Sequence, residues 1–340
     1  MRNILVTGAG GGVGQGIIKS LKMIKDIDIK VIAADMSENA TGLYAAEVAY
    51  LVDRCDSDKY LENLINIFKK ESIDFYIPGT DVELEFCAIN KNLIKDKFNV
   101  HTVISSKEVI EICDNKYKTF SFLKKHGFNY PKTAYLKDID LENVKYPAIV
   151  KPAVGHSSIG VYKVSNLDEL LPHLQDTENI IIQECIGSED TEYTCTVVKI
   201  GNKISPVLAL KRILRSGDTY RAKPVQSEKI EQYVLDVASK LEIDGGCNFQ
   251  LRLGINGEPK IFEINSRFSG TTPFCAQIGF NPVEFYLKKS AGLESVINID
   301  YDSIVLRYWS EVVIKKNSLK RLSDDHNIEP KVDEQFKLFS

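Results

Sequence analysis

The sequence predicts an α/β protein in which an N-terminal doubly wound parallel sheet is followed by α+β layers around a cleft. Three observations carry this expectation: an apolar β-rich run ending in a glycine turn, a strand–helix–strand alternation behind it, and a change near residue 113 to short strands punctuated by proline. At 340 residues the chain is too long for one ordinary core, and two or three domains are expected.

Residues 3 to 7 (Asn-Ile-Leu-Val-Thr) form the first strand, and GAGGGVGQG follows before the helical spacing of Ile17, Ile18 and Leu21. A second strand runs from Lys30 to Ala34 and ends at Asp35. A helix around 58 to 70 and a third strand from Phe75 to Pro78 complete a first domain of about 1 to 112. Beyond it, a helix at 114 to 126 stops at Gly127, and Pro131, Pro147 and Pro152 divide the strands that follow. The last 30 residues are polar and weakly periodic, and read as a peripheral appendage or a partner-binding tail.

Composition excludes several classes. Hydrophobic residues make up 44% and charged residues 26%, which is globular. A formal charge of -4 gives no electrostatic reason to expect nucleic acid or an anionic membrane as partner. No run approaches the roughly 20 apolar residues that span a bilayer, and the N-terminus enters a strand directly instead of a cleavable signal, so the cytoplasm is expected. Seven cysteines without a CxxC pair read as reduced thiols, and five dispersed histidines argue against an imidazole metal site.

Three segments carry chemistry. The first, TGAGGGVG, fits TGxxGxxG, with Asp35 where a ribose-binding acid would sit. A nicotinamide-dependent oxidoreductase or epimerase would use this turn together with Tyr-x-x-x-Lys, but none of the 15 tyrosines has lysine four positions on. The same glycines also let a first helix pack on its strand, and that structural reading is favoured.

The second segment, residues 146 to 161, brings Lys151 to a strand end before the loop Gly155-His-Ser-Ser-Ile-Gly160, whose amides and hydroxyls suit phosphate oxygens. It is not a Walker A loop, because Val161 follows Gly160. A plain Gly/Ser surface hairpin is the alternative.

The third segment, residues 247 to 274, contains Asn256-Gly257, the signal for a type I′ hairpin. Pairing Ile255 with Glu258 sets Gln250 opposite Glu263 and Asn248 opposite Asn265, all on one face. Phe249, Leu251, Leu253, Phe262 and Ile264 then form the core face. A carboxylate gathered with side-chain amides suits a magnesium ion that keeps waters and bridges to phosphates, although a solvated sheet face would look similar. Arg267, just beyond, supplies a guanidinium for developing phosphoryl charge.

In this order the segments resemble the ATP-grasp superfamily, and within it the branch of the carbamoyl-phosphate synthetase large subunit, over roughly residues 1 to 310. The resemblance implies a pre-ATP-grasp domain at 1 to 112 and a two-lobed ATP-grasp domain at 113 to 310. Its small lobe covers about 113 to 185 and its large lobe about 186 to 310, with 311 to 340 as an appendage. ATP and one or two Mg²⁺ are the implied cofactors.

The resemblance also assigns residues. Lys116 and Lys151 contact phosphates, and Gly155, Ser157, Ser158 and Gly160 belong to a lid over them. Glu184, Cys185 and Ile186 line the adenine, and Glu192 binds the ribose hydroxyls. The segment from Gly187 to Glu192 is two residues longer than in the branch, so Glu189 is an alternative ribose ligand. Gln250, Glu263 and Asn265 fall on magnesium positions, and Arg267 on the transition-state arginine.

The implied activity is ATP-dependent carboxylate–amine ligation through an acyl phosphate, with Lys116, Lys151 and Arg267 as the catalytic charges and ADP and phosphate released. The partners are then a small carboxylate and an amine, with Arg212, Arg221, Arg252, Ser269 and Gly270 as substrate contacts and a homodimer as the default assembly. Two alternatives stand beside it: the oxidoreductase or epimerase, and a nucleotide-binding regulator without turnover.

Overall fold

The computed structural model describes residues 1–155, 159–174, 178–215 and 217–330. Its N-terminal part contains β1 (Arg2–Val6), α1 (Gly12–Lys22), β2 (Ile29–Asp35), β3 (Val48–Leu51), α2 (Tyr60–Glu71), β4 (Phe75–Ile77), α3 (Leu84–Phe98) and β5 (His101–Thr102). The strands lie parallel in the order β3-β2-β1-β4-β5, so the sheet is doubly wound as expected. Ile4, Val6, Val31 and Ala33 pack towards α1, while Leu5, Ile32 and Tyr76 meet the opposite helices, as strands covered on both faces require. Strand β3 was absent from the expected elements: four residues are too few to show a period.

Gly14 explains the glycine turn. A Cβ there would lie 2.2 Å from the Gly8 carbonyl oxygen, so only glycine lets α1 sit on the turn. The Asp35 carboxylate accepts from the Gly10 amide (2.8 Å) and the Ser37 amide (3.1 Å), and so holds the turn's own backbone.

Next come α4 (Lys107–Asp114) and α5 (Lys116–Lys125), separated by Asn115, whose side chain caps α5 through the amides of Tyr117 and Lys118. Strands β6 (Thr133–Tyr135), β7 (Ala148–Pro152), β8 (Tyr162–Val164) and β9 (Ile180–Glu184), with the short α6 (Leu167–Leu170), form an antiparallel sheet in the order β6-β9-β7-β8.

The largest sheet is also antiparallel. It contains β10 (Glu192–Ile200), β11 (Lys203–Ile204), β12 (Leu208–Arg215), β13 (Asp218–Val225), β14 (Gly245–Leu253), β15 (Pro259–Asn265) and β16 (Val305–Leu306), in the order β15-β14-β10-β12-β13-β16 with β11 on β10. One face packs on α7 (Glu228–Leu241) through Val234, Val237, Phe249, Leu251 and Ile261. The other face, through Leu208 and Leu210, joins α8 (Thr272–Gln277), α9 (Pro282–Ser290) and α1 in one continuous core, which sets the N-terminal sheet beside the site described below.

The C-terminal stretch set apart as an appendage enters that core. In α10 (Lys316–Asp325) Leu322 is buried, and β17 (Asn327–Ile328) adds an antiparallel edge strand beside β3. Among the described residues no helix is long and apolar enough to cross a membrane.

Candidate active site

The hairpin of β14 and β15 reaches the expected pairing by an unexpected route. Gly257 N–H bonds to the Gly254 carbonyl and Gly254 N–H to the Glu258 carbonyl, both at 2.9 Å, so the loop is the three residues 255 to 257, with Gly257 at φ +68°. This replaces the expected type I′ turn with a turn of the three-residue class. The register near the turn is therefore Leu253↔Pro259 and Arg252↔Lys260. A bulge between Gln250 and Leu251 then shifts it, restoring Gln250↔Glu263 and Asn248↔Asn265. The bulge leaves Phe262 unpaired and turns it out of the expected core face, so Phe262 lines the cleft with Gln250 and Glu263.

Across that cleft, period two on β7 sends Val150 into the core and Ile149 and Lys151 to the open side. Lys116, Lys151, Gln250 and Glu263 line one cavity of about 180 Å³, walled by Ile149, Ile186 and Phe262. Lys116 is buried at the start of α5 and donates to the Gly155 carbonyl at 2.9 Å. Lys151 is 4% exposed, with its ammonium 5.5 Å from the Phe262 ring centre. Burial pulls the Lys151 ammonium down to about 8, helped by Lys116 and Arg252 and opposed by Glu263. Gly155 and Gly160 flank the loop mouth; Ser157 and Ser158 lie outside the described residues.

Glu184 and Ile186 line the cavity, while Cys185 between them does not. The Glu184 carboxylate accepts from Lys260 at 2.9 and 3.0 Å. Glu192, expected at the ribose, is buried between two guanidiniums: Arg212 donates to its Oε1 at 3.0 and 2.8 Å, Arg252 to its Oε2 at 2.9 and 2.8 Å. Arg212 and Arg252, expected to await a substrate carboxylate, thus already have one. The physical reason is their placement on neighbouring strands, with Glu192 directly opposite Arg252. Arg212 also donates to Gln250 Oε1 at 2.7 Å, which occupies the oxygen expected to face a metal. Arg221 is exposed on β13 and, with Glu189, lines a cavity of about 570 Å³ that adjoins the first through Glu192, Arg212 and Arg252 but does not include Ser269 and Gly270.

A further cavity of about 320 Å³ adjoins the first and shares Arg212, Gln250 and Glu263 with it. Asn265, Arg267, Ser269, Gly270, Arg307 and the start of α1 at Gly12 and Val13 complete its wall. Arg267 is not a bare charge beside a metal: it holds Asp81 of the N-terminal part at 2.6 and 2.7 Å. Asp81 follows a loop fastened by Glu83, a buried carboxylate that accepts from Thr7, Tyr60 and Tyr76 hydroxyls and from the amides of Gly79 and Thr80. Asp81, Glu83, Phe262 and Arg307 had no sequence signal: Asp81 meets Arg267 across 186 residues, Glu83 meets Thr7 across 76, Arg307 meets Gly270 across 37, and Phe262 is turned by the bulge.

Glu263 and Asn265 fit a hard cation by donor type: one carboxylate and one amide oxygen beside a polar cavity with room for water. The described residues contain no group of three or more His, Cys, Asp or Glu that could hold an ion, so phosphate and water oxygens would have to complete the shell. Burial holds the thiols of Cys87 and Cys247 well above their usual range and pushes Cys113 and Cys275 up to about 12, which removes them as nucleophiles.

Residues 113–271 match the family described as ATP-grasp domain, and residues 4–104 match the PylC-like, N-terminal domain. The chain therefore contains an ATP-grasp domain behind a PylC-like N-terminal domain. Within that class it resembles the carbamoyl phosphate synthase large chain of Clostridium beijerinckii, at 23% identity over 83% of this chain, but spans only 28% of that relative. D-alanine–D-alanine ligase of Lactiplantibacillus plantarum is 24% identical over 91% of this chain and 74% of its own. The crystal structure of N5-carboxyaminoimidazole synthetase from Staphylococcus aureus complexed with ADP has the same fold, with a TM-score of 0.69 at 17% identity, covering 89% of this chain and 80% of that one.

Proposed function

We propose that the chain is an ATP-dependent carboxylate–amine ligase that works through an acyl phosphate and releases ADP and phosphate. The observation that carries this reading is the convergence of Lys116, Lys151, Gln250 and Glu263 on one cleft between two antiparallel sheets, opening into a second cavity at Arg267. In this reading domain boundaries fall near 112 and 310, and the cytoplasm is the compartment.

Placement in the cleft supports a division of roles. Ile149, Ile186 and Phe262 offer an apolar slot for the base, and Lys116 and Lys151 face the phosphates. A substrate carboxylate oxygen attacks the γ-phosphorus in line as the bond to ADP breaks, and Arg267, steadied by Asp81, balances the charge. Magnesium, when held at Glu263 and Asn265, would supply charge neutralisation and fix the γ-phosphoryl group. The acceptor nitrogen then bonds to the acyl carbon, and phosphate leaves. A screen of carboxylate and amine pools for ADP release, with mass detection of the condensed product, tests the reading. Release of ADP without any condensed product would overturn it.

Two outcomes follow from the site itself. Glu263→Ala removes the sole carboxylate of the proposed metal set, and the Mg²⁺ concentration giving half-maximal ADP release rises by about 10- to 100-fold. An unchanged magnesium dependence would move the metal elsewhere.

The second concerns pH. Lys151 loses its proton near pH 8 in the free protein, whereas triphosphate favours the ammonium. ATP affinity is then full below pH 8 and weakens as pH rises through it, approaching about tenfold per pH unit. Calorimetry in buffers of different ionisation heat should show proton uptake on ATP binding above that pH. Binding without uptake, at constant affinity, would contradict the assignment.

A further inference from the structure

Three guanidiniums line the cavity beside Glu263, and their partners differ. Arg212 is neutralised by Glu192 and Arg267 by Asp81. Arg307 has no ion-pair partner among the described residues, yet it is held in place. Its backbone N–H bonds to the Tyr220 carbonyl at 2.8 Å, its Nη2 donates to the Gly270 carbonyl, and its plane lies 4.9 Å from the Phe274 ring centre. These contacts orient the group without cancelling its charge. Lys19 on α1 is close enough that Arg307 helps lower its pKa, after burial, and burial lowers that of Arg307 as well, with Asp218 opposing. Arg307 thus presents an oriented, partly desolvated guanidinium, where an anion would be bound favourably.

Resting on the ligase reading, we propose that Arg307 anchors a carboxylate of the acceptor, so that the amine substrate is an amino acid or another amine bearing its own carboxylate. The planar guanidinium matches a carboxylate in bidentate fashion. Cavity charge favours a monoanion over a phosphate dianion: Asp81, Asp218 and Glu263 stand against Arg212, Arg267 and Arg307. Arg307 and Gly270 line the same cavity as Glu263 and Asn265, so an acceptor fastened at Arg307 shares the space in which the acyl phosphate forms. There the nitrogen bonds to the acyl carbon, the carbon–oxygen bond to phosphate breaks, and the surplus ammonium protons pass to solvent.

The test uses the full chain with Mg·ADP. Phenylglyoxal labelling of Arg307, mapped by mass spectrometry, is compared with a mixture of the common amino acids or with their decarboxylated amines present. Protection by the amino acids and none by the amines is expected; equal labelling under all conditions overturns the proposal. In turnover, Arg307→Ala raises the acceptor KM by about 10- to 100-fold with the ATP KM unchanged, and Arg307→Lys recovers part of the loss. An acceptor KM that does not move, or an equal loss with amines lacking a carboxylate, also overturns it. Wild-type chain that forms no condensed product with any pool would instead sink the ligase reading, a result that the labelling arm keeps distinct.

Discussion

Lys151→Ala is expected to lower ADP release by about 100- to 1000-fold, the scale seen when a preorganised charge facing a developing anion is removed. Lys151 is nearly inaccessible and shares its cleft with Lys116 and Glu263. Replacing a buried ammonium by a methyl group removes a desolvated charge, so the fold should survive and thermal unfolding should stay cooperative. Rate measurements at saturating ATP, beside equilibrium nucleotide binding, separate lost affinity from lost chemistry. A variant that binds and turns over ATP normally would show that the nucleotide sits elsewhere.

Glu83→Ala is expected to cost on the order of 4 kcal/mol of stability, because several buried donors lose their acceptor at once. Oε2 accepts from Thr7 (2.7 Å), Tyr60 (2.7 Å) and Tyr76 (3.1 Å), and Oε1 from the amides of Gly79 (2.9 Å) and Thr80 (3.0 Å). The Tyr60 and Tyr76 hydroxyls, held far above their usual range mainly by burial, cannot relieve the loss by ionising. Denaturant unfolding at constant slope measures the effect, and a loss below about 1 kcal/mol would refute the network's importance. Activity at low temperature should fall as well, since the same loop carries Asp81 to Arg267.

Much of this site was legible in the chain because its parts are local. Lys151 stands at a strand end before a glycine loop, and the spacing between Gln250 and Glu263 across a short turn is enough to bring them together. That pairing survived a wrong turn type only because the bulge at Gln250 offset the three-residue loop. The same bulge reversed Phe262, since an inserted residue breaks the alternation on which the facing was argued.

The charges were less legible. Arg212 and Arg252 have the residue type and strand position of substrate ligands, but their partner Glu192 lies 20 and 60 residues away. Arg307 reaches Gly270 across 37 residues, and Asp81 reaches Arg267 across 186.

The chain alone determined the alternating α/β start, the antiparallel hairpin and the lysine before its loop, because strand period, turn chemistry and glycine sterics act over a few residues. Only the tertiary structure decided which cations are neutralised and which stay available, where the C-terminal strand docks, and that Gly12, Val13 and Asp81 of the N-terminal part wall the cavity at Arg267. Those outcomes depend on which side chains share a desolvated space. Distance in space, unlike distance along the chain, sets both the Coulomb energy and the cost of burial.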